Sequence, residues 1–171
     1  MRIMLLVFLF MTNVCRLQAQ RPTEHVETDW PKEYKWKVAG HQNKGNVETI
    51  YIIPGNETPK TASILGSIEA FKGLRYSSIH DIITDYQKHL DTGSTLTMVT
   101  MQDSAGPMWV IFKVETPVTL KYPEPESDLY YVLQGEYALY EDHVAIKQPN
   151  LSPEFVDKWS KIFKTSRLVK Q

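Results

Sequence analysis

The sequence predicts an α+β fold: one antiparallel sheet of about six to seven strands, with an internal helix at about 78–91 and a C-terminal helix at about 153–165 packed on it. Three observations carry this. Strand-like runs follow one another instead of alternating with helices, the order expected of an antiparallel sheet covered by helices. Met108 to Val114 is apolar on both faces, with Met108, Val110, Phe112 and Val114 against Trp109 and Ile111, as in a strand covered on both sides. Phe155, Val156, Trp159, Ile162 and Phe163 recur at helical spacing, so one stripe of the last helix can bury against the sheet.

The first residues stand apart from that fold. Arg2 precedes an unbroken apolar run, Ile3 to Met11, and a more polar piece ends in Leu17-Gln18-Ala19. This is the pattern of a secretory signal peptide cleaved after Ala19, and the run is shorter than the roughly 20 residues of a spanning helix. A lipidated Cys15 is the alternative, but Thr12-Asn13-Val14 matches the usual residues before such a cysteine poorly. The expected organisation is a signal peptide over 1–19, an extended arm over 20–34 and a single α+β domain over 35–171. The expected location is periplasmic or extracellular, with no stable membrane insertion.

Cleavage would remove the only cysteine. The remaining chain then has no disulfide, no thiolate zinc site and no cysteine nucleophile. A chain of about 150 residues can bury roughly two thirds of its unfolded surface, enough for a core to hold it. Its 20 acidic and 19 basic residues are interspersed, and Arg2 and Arg16 leave with the leader. No basic block provides a nucleic-acid footprint.

Along the chain, Arg21 to Lys35 mixes Pro22 and Pro31 with acids and has little periodicity; Trp30 and Tyr34 are its candidates for docking. Trp36 and Val38 alternate with lysines, Gly40 to Asn46 is a polar turn, and Val47 to Ile53 is β-branched, together a hairpin. Thr61 to Leu65 reads as a helical turn or a loop, and Ser67 to Phe71 as a strand. Ser78 with Asp81 is a capping-box pattern. Ile79, Ile82, Ile83, Tyr86 and Leu90 then form one apolar stripe that Gly93 is placed to end. Thr95 to Met101 alternates, 108–114 is the doubly covered strand, and the Pro-rich, acidic run Thr116 to Ser127 is a loop. From Asp128, Tyr130 and Val132 alternate with Tyr131 and Leu133; Tyr137 and Leu139 alternate with Ala138 and Tyr140; Val144 and Ile146 follow. After Pro149, Ser152-Pro153-Glu154 is a helix start, a hydroxyl cap followed by proline at the first position.

This order of elements, with Val144-Ala145-Ile146 leading into the Phe155–Phe163 helix, resembles the PsbP-like secreted domains over roughly Trp36 to Leu168. That group includes accessory and assembly factors without chemistry of their own, so the resemblance implies binding more than turnover.

The candidate chemistry gives way to simpler readings at each point. Asp81 and Asp85 share a helix face, but His80 lies about 100° around from Asp81, and Asp81 has a cap to serve. His89 is too far from His80 for one ion. Glu141-Asp142-His143, flanked by strands, reads as a hairpin turn with too few oxygens for calcium. Ser63, Ser67, Ser77, Ser78 and Ser104 lack a nucleophile elbow, Glu124 and Glu126 are loop acids, and no Gly-rich phosphate loop precedes either helix. Tyr130, Tyr131, Tyr137, Tyr140, Trp109 and Trp159 read as core more readily than as an exposed binding face. Asn56-Glu57-Thr58 and Asn150-Leu151-Ser152 match the glycan acceptor pattern. No residue is assigned as catalytic, cofactor-binding or metal-ligating, and no cofactor is expected. The expected function is a secreted or periplasmic non-enzymatic binding or accessory domain for a protein or small ligand. The alternatives are a small secreted hydrolase whose site forms only in three dimensions, and a homodimeric envelope structural factor. A histidine–carboxylate pair in a deep cleft would favour the hydrolase.

Overall fold

The computed structural model describes residues 24–104, 106–118 and 123–170; the leader expected over 1–19 lies outside them. Nine strands and two helices follow in the order β1 (Glu24–Glu27), β2 (Lys37–Lys44), β3 (Val47–Ile53), β4 (Leu65–Lys72), α1 (Ile79–His89), β5 (Thr95–Gln102), β6 (Trp109–Thr116), β7 (Glu126–Gln134), β8 (Ala138–Ile146), α2 (Pro153–Lys164) and β9 (Arg167–Lys170). Strands β2 to β8 form one antiparallel sheet in the order β2-β3-β4-β8-β7-β6-β5. It consists of two meanders joined where β8 pairs with β4, and α1 carries the chain from β4 across to the far edge strand. This is the predicted α+β architecture.

Both helices start where the sequence places them. Ser78 Oγ accepts the Asp81 N–H, and Ser152 Oγ accepts the Phe155 N–H with Pro153 at the first helical position. Such side chains satisfy donors that the first turn leaves without a partner. α1 lays Ile79 and Ile82 on one face of the sheet, against Val110, Phe112, Val132 and Leu139. α2 lays Trp159 and Phe163 on the other, against Ile111, Leu129, Tyr131 and Val144. Strand β6 therefore has apolar cover on both sides, and Val110, Ile111 and Phe112 are fully buried.

Gly40 to Lys44, expected within a polar turn, continue β2 instead, and three larger features differ from the sequence reading. Residues 24–34 are part of the packed structure: β1 pairs antiparallel with β9, and a short 3-10 turn covers Lys32–Tyr34. Trp30, Tyr34 and Trp36 gather on Trp159, with ring centroids 5.7, 6.0 and 6.2 Å away. Gly66 makes room for this. A Cβ there would lie 2.9 Å from the Trp30 ring and 2.7 Å from Ile52, closer than packed atoms approach. Secondly, the chain forms a strand, β9, after α2. Thirdly, Glu141-Asp142-His143 is not a turn. The triplet is the middle of β8, the fourth of seven strands, paired on both sides.

Trp159 is fully buried with five aromatic neighbours on it. Trp159→Ala is expected to cost about 3–5 kcal/mol in chemical denaturation; a loss below about 1 kcal/mol would mean that α2 is not docked through this ring.

Candidate functional site

A strand sends successive side chains to opposite faces, so β8 divides its polar triplet. Glu141 and His143 lie on the α1 face with Leu139, and Asp142 on the α2 face with Tyr140 and Val144. All three are withdrawn from water: Glu141 and Asp142 are 5% and 3% exposed, and the His143 side chain 12%.

On the α1 face the pairing register sets two polar rows side by side. In one, Tyr51, Ser67, His143 and Tyr130 are successive cross-strand neighbours; in the other, Thr49, Glu69 and Glu141. His143 Nδ1 lies 3.2 Å from Glu141 Oε1. The Tyr86 hydroxyl, reaching down from α1, donates to Glu141 Oε2, and Ser67 Oγ donates to Glu69 Oε1 at 3.0 Å. The Tyr130 ring lies 4.9 Å from the imidazole. One ligand atom from each of Glu69, Glu141 and His143 can be chosen so that all lie within 4.8 Å of one another. Tyr51 of the first row, with Leu65 and Ala145 two residues along on the same face, lines part of a cavity of about 310 Å³.

Electrostatics there follow from burial. Burial disfavours a charge on His143, but the Glu141 carboxylate, backed by Asp128 and Glu69, outweighs it and holds the imidazole pKa above its usual value. Burial raises Glu141 more than His143 lowers it. The pair thus keeps its protons to higher pH than two isolated groups. Burial also pushes Asp128 up to about 7, opposed by His143 and helped by Glu126.

On the α2 face, the Thr28 hydroxyl donates to Asp142 Oδ2, and Thr28 Oγ lies 2.7 Å from Ser166 Oγ. Thr28 directly follows β1 and Ser166 directly precedes β9, so Asp142 holds the end of the terminal strand pair. Burial pushes this carboxyl up to about 7 against the Thr28 bond and the His143 charge. Nearer the other end of β1, Glu24 Oε1 accepts the Tyr137 N–H at 2.6 Å and the Glu24 carbonyl accepts the Tyr140 hydroxyl at 2.6 Å. Glu24 Oε2 is buried with no hydrogen-bond partner among the described residues. Between β1 and strands β3, β4 and β8 lies a cavity of about 850 Å³, floored by Ile50, Ile68, Ala70 and Ala138, with Glu24 and Asp142 in its lining.

The other residues weighed from sequence stay apart from both faces' clusters. His80 is exposed, and Asp81 accepts from Ser77 and Ser78, which holds its carboxyl below the usual range. Asp85 accepts the Tyr76 hydroxyl, and His89 Nδ1 lies 2.8 Å from the Asp85 carbonyl. Glu124 pairs with Lys147 at 2.8 Å. Tyr131, Tyr140 and Trp159 are core, while Tyr137 is 39% exposed. Ser67 faces His143 across the β4–β8 pair, but it is fully buried and its proton is committed to Glu69. It is not presented as a nucleophile.

The reading of 141–143 as a turn overlooked the signal that ran through it. Tyr140 and Val144, four positions apart, share a face only if the three residues between them stay in extended register, and nothing from 138 to 146 is Gly, Pro or Asn.

Asp128 supplies a test of the buried electrostatics. Its folded pKa, about 7, lies above the ordinary 3.8. Between about pH 4 and pH 7 the unfolded chain releases this proton while the folded chain keeps it. Stability from this group therefore falls as pH rises through that window. Asp128→Asn is expected to flatten that fall, by an amount on the order of 4 kcal/mol at most, when denaturation midpoints are compared across pH. Parallel curves for the two proteins would contradict it. A scan of family models and a search of curated proteins both return no match for this chain.

Proposed function

We propose that this chain is an exported, non-enzymatic binding domain whose ligand is a small amphipathic cation seated in the cavity between β1 and the β3-β4-β8 face. The leader pattern at 1–19 supports export. The observation that carries the ligand class is the buried, unpartnered Glu24 Oε2 beside an apolar floor.

At about 850 Å³ the cavity falls within the range of small-molecule sites, roughly 300–1,000 Å³. Its charged rim is already paired: Lys72 Nζ lies 3.1 Å from Glu48, Lys170 Nζ 2.6 Å from Glu136, and Arg75 donates to the Glu136 carbonyl. Asp142 and Glu24, further in, have hydroxyl and backbone partners in place of a cation. An ammonium group would satisfy the open Glu24 oxygen, while an alkyl body covered Ile50 and Ile68 in the direction of Asp142. The buried Ser67 and its committed proton favour binding over hydrolysis.

Calorimetric titration of the chain with octylammonium and with octanoate tests charge and apolar body separately. Octylammonium is expected to bind and octanoate not. Glu24→Gln should weaken octylammonium by about tenfold or more, the scale of one lost charge-assisted hydrogen bond, and Asp142→Asn, at the far end of the cavity, by much less. Equal binding of octanoate, or unchanged affinity in Glu24→Gln, would overturn the reading.

A further inference from the structure

We propose that Glu69, Glu141 and His143 form a site for one divalent transition-metal ion of the zinc class, on the face of the sheet opposite that of Asp142. Donor atoms from two adjacent strands already converge: all three lie within 4.8 Å of one another, and His143 Nδ1 is 3.2 Å from Glu141 Oε1. An ion with bonds of about 2.1 Å in tetrahedral geometry needs its donors roughly 3.4 Å apart. The Glu141–His143 separation of 3.2 Å already meets that spacing.

Charge points the same way. Glu69 and Glu141 are direct cross-strand partners, an arrangement of like charges that is destabilising unless something positive lies between them. The charges acting on Glu141 are His143 and Glu69, and those acting on His143 are Glu141, Asp128 and Glu69. One imidazole thus serves two adjacent carboxyl groups, and a divalent ion would displace their protons and hold both ionised.

The surroundings hold the ligands as supporting hydrogen bonds do in metal sites. The Tyr86 hydroxyl occupies the second oxygen of Glu141, and Ser67 donates to Glu69. Glu69 and His143 remain partly exposed, which gives an ion a way in. One nitrogen and two carboxylate oxygens suit zinc, manganese or iron; calcium prefers six to eight oxygens. Three protein donors leave one position for water or another ligand.

Titration of the full chain with Co²⁺, followed by visible absorption and then by displacement with Zn²⁺, tests the site. One ion per chain is expected, with the ligand-field bands of a low-coordinate nitrogen–oxygen site. Glu69→Gln and His143→Ala should each weaken Co²⁺ by more than the roughly 10–100-fold that loss of a supporting partner costs. Tyr86→Phe should weaken it within that range, and His80→Ala should leave it unchanged. Glu69→Gln preserves shape and is half-exposed, so it decides the matter if His143→Ala fails to fold. Absence of Co²⁺ bands, or equal affinity in wild type and Glu69→Gln, would overturn the proposal whatever octylammonium does.

Discussion

Strand β8 imposes the constraint from which most of the rest follows. Three consecutive titratable residues sit in the middle of a seven-stranded sheet, and each needs a partner because an isolated buried charge costs many kcal/mol. The period of two sends them to opposite sides, so one face cannot serve all three. On the α1 face the partners are the Tyr86 hydroxyl and the mutual Glu141–His143 contact. On the other they are Thr28 and, behind it, Ser166. Each face thereby gains a polar anchor alongside its apolar packing. Tyr86 fixes how α1 lies over the sheet, and Thr28 with Ser166 fixes how the β1–β9 pair closes.

Apolar packing and polar anchoring occupy different halves of the sheet. Both clusters of buried side chains centre on β6, β7 and β8, where each helix covers one face. Strands β3 and β4 lie beyond the helices, and β2 is exposed along almost its whole length. The two cavities open at that boundary, where helix cover ends and the sheet continues. Such a position combines a rigid strand floor with room above it, which is where ligand sites in helix-covered sheets can form without disturbing the core.

Much of this architecture was legible in the sequence because it depends on local periodicity. The Phe155–Phe163 stripe, the Ser78 and Ser152 caps and the doubly apolar β6 all rest on residues within a few positions of one another. What was not legible depends on distant partners. Residues 24–27 have no strand pattern of their own and are extended because Arg167–Lys170 pairs with them. Trp30 and Tyr34 look like loop aromatics until Trp159, more than 120 positions away, receives them. Glu141, Asp142 and His143 resemble a turn for the same reason. Their polarity is tolerable inside a sheet only because Tyr86, Glu69 and Thr28 arrive from elsewhere in the chain. The apolar alternation on either side was the one local trace that the strand continued.

The triplet also bears on why a site should lie here. A buried ionisable network is a weak way to stabilise a fold: well-packed apolar residues of similar volume are often neutral or better in its place. Every other position of β8 on these faces is filled by Ala, Leu, Tyr, Val or Ile, so the strand accepts apolar residues readily. The core of the sheet needs none of the three polar side chains. Positions where local rules are broken inside an otherwise consistent fold concentrate at functional sites. In this chain three such residues fall consecutively on β8 and face two different directions beside the two cavities. That coincidence of cost and access makes β8, rather than the acidic loop or the exposed histidines, the place where recognition is best sought.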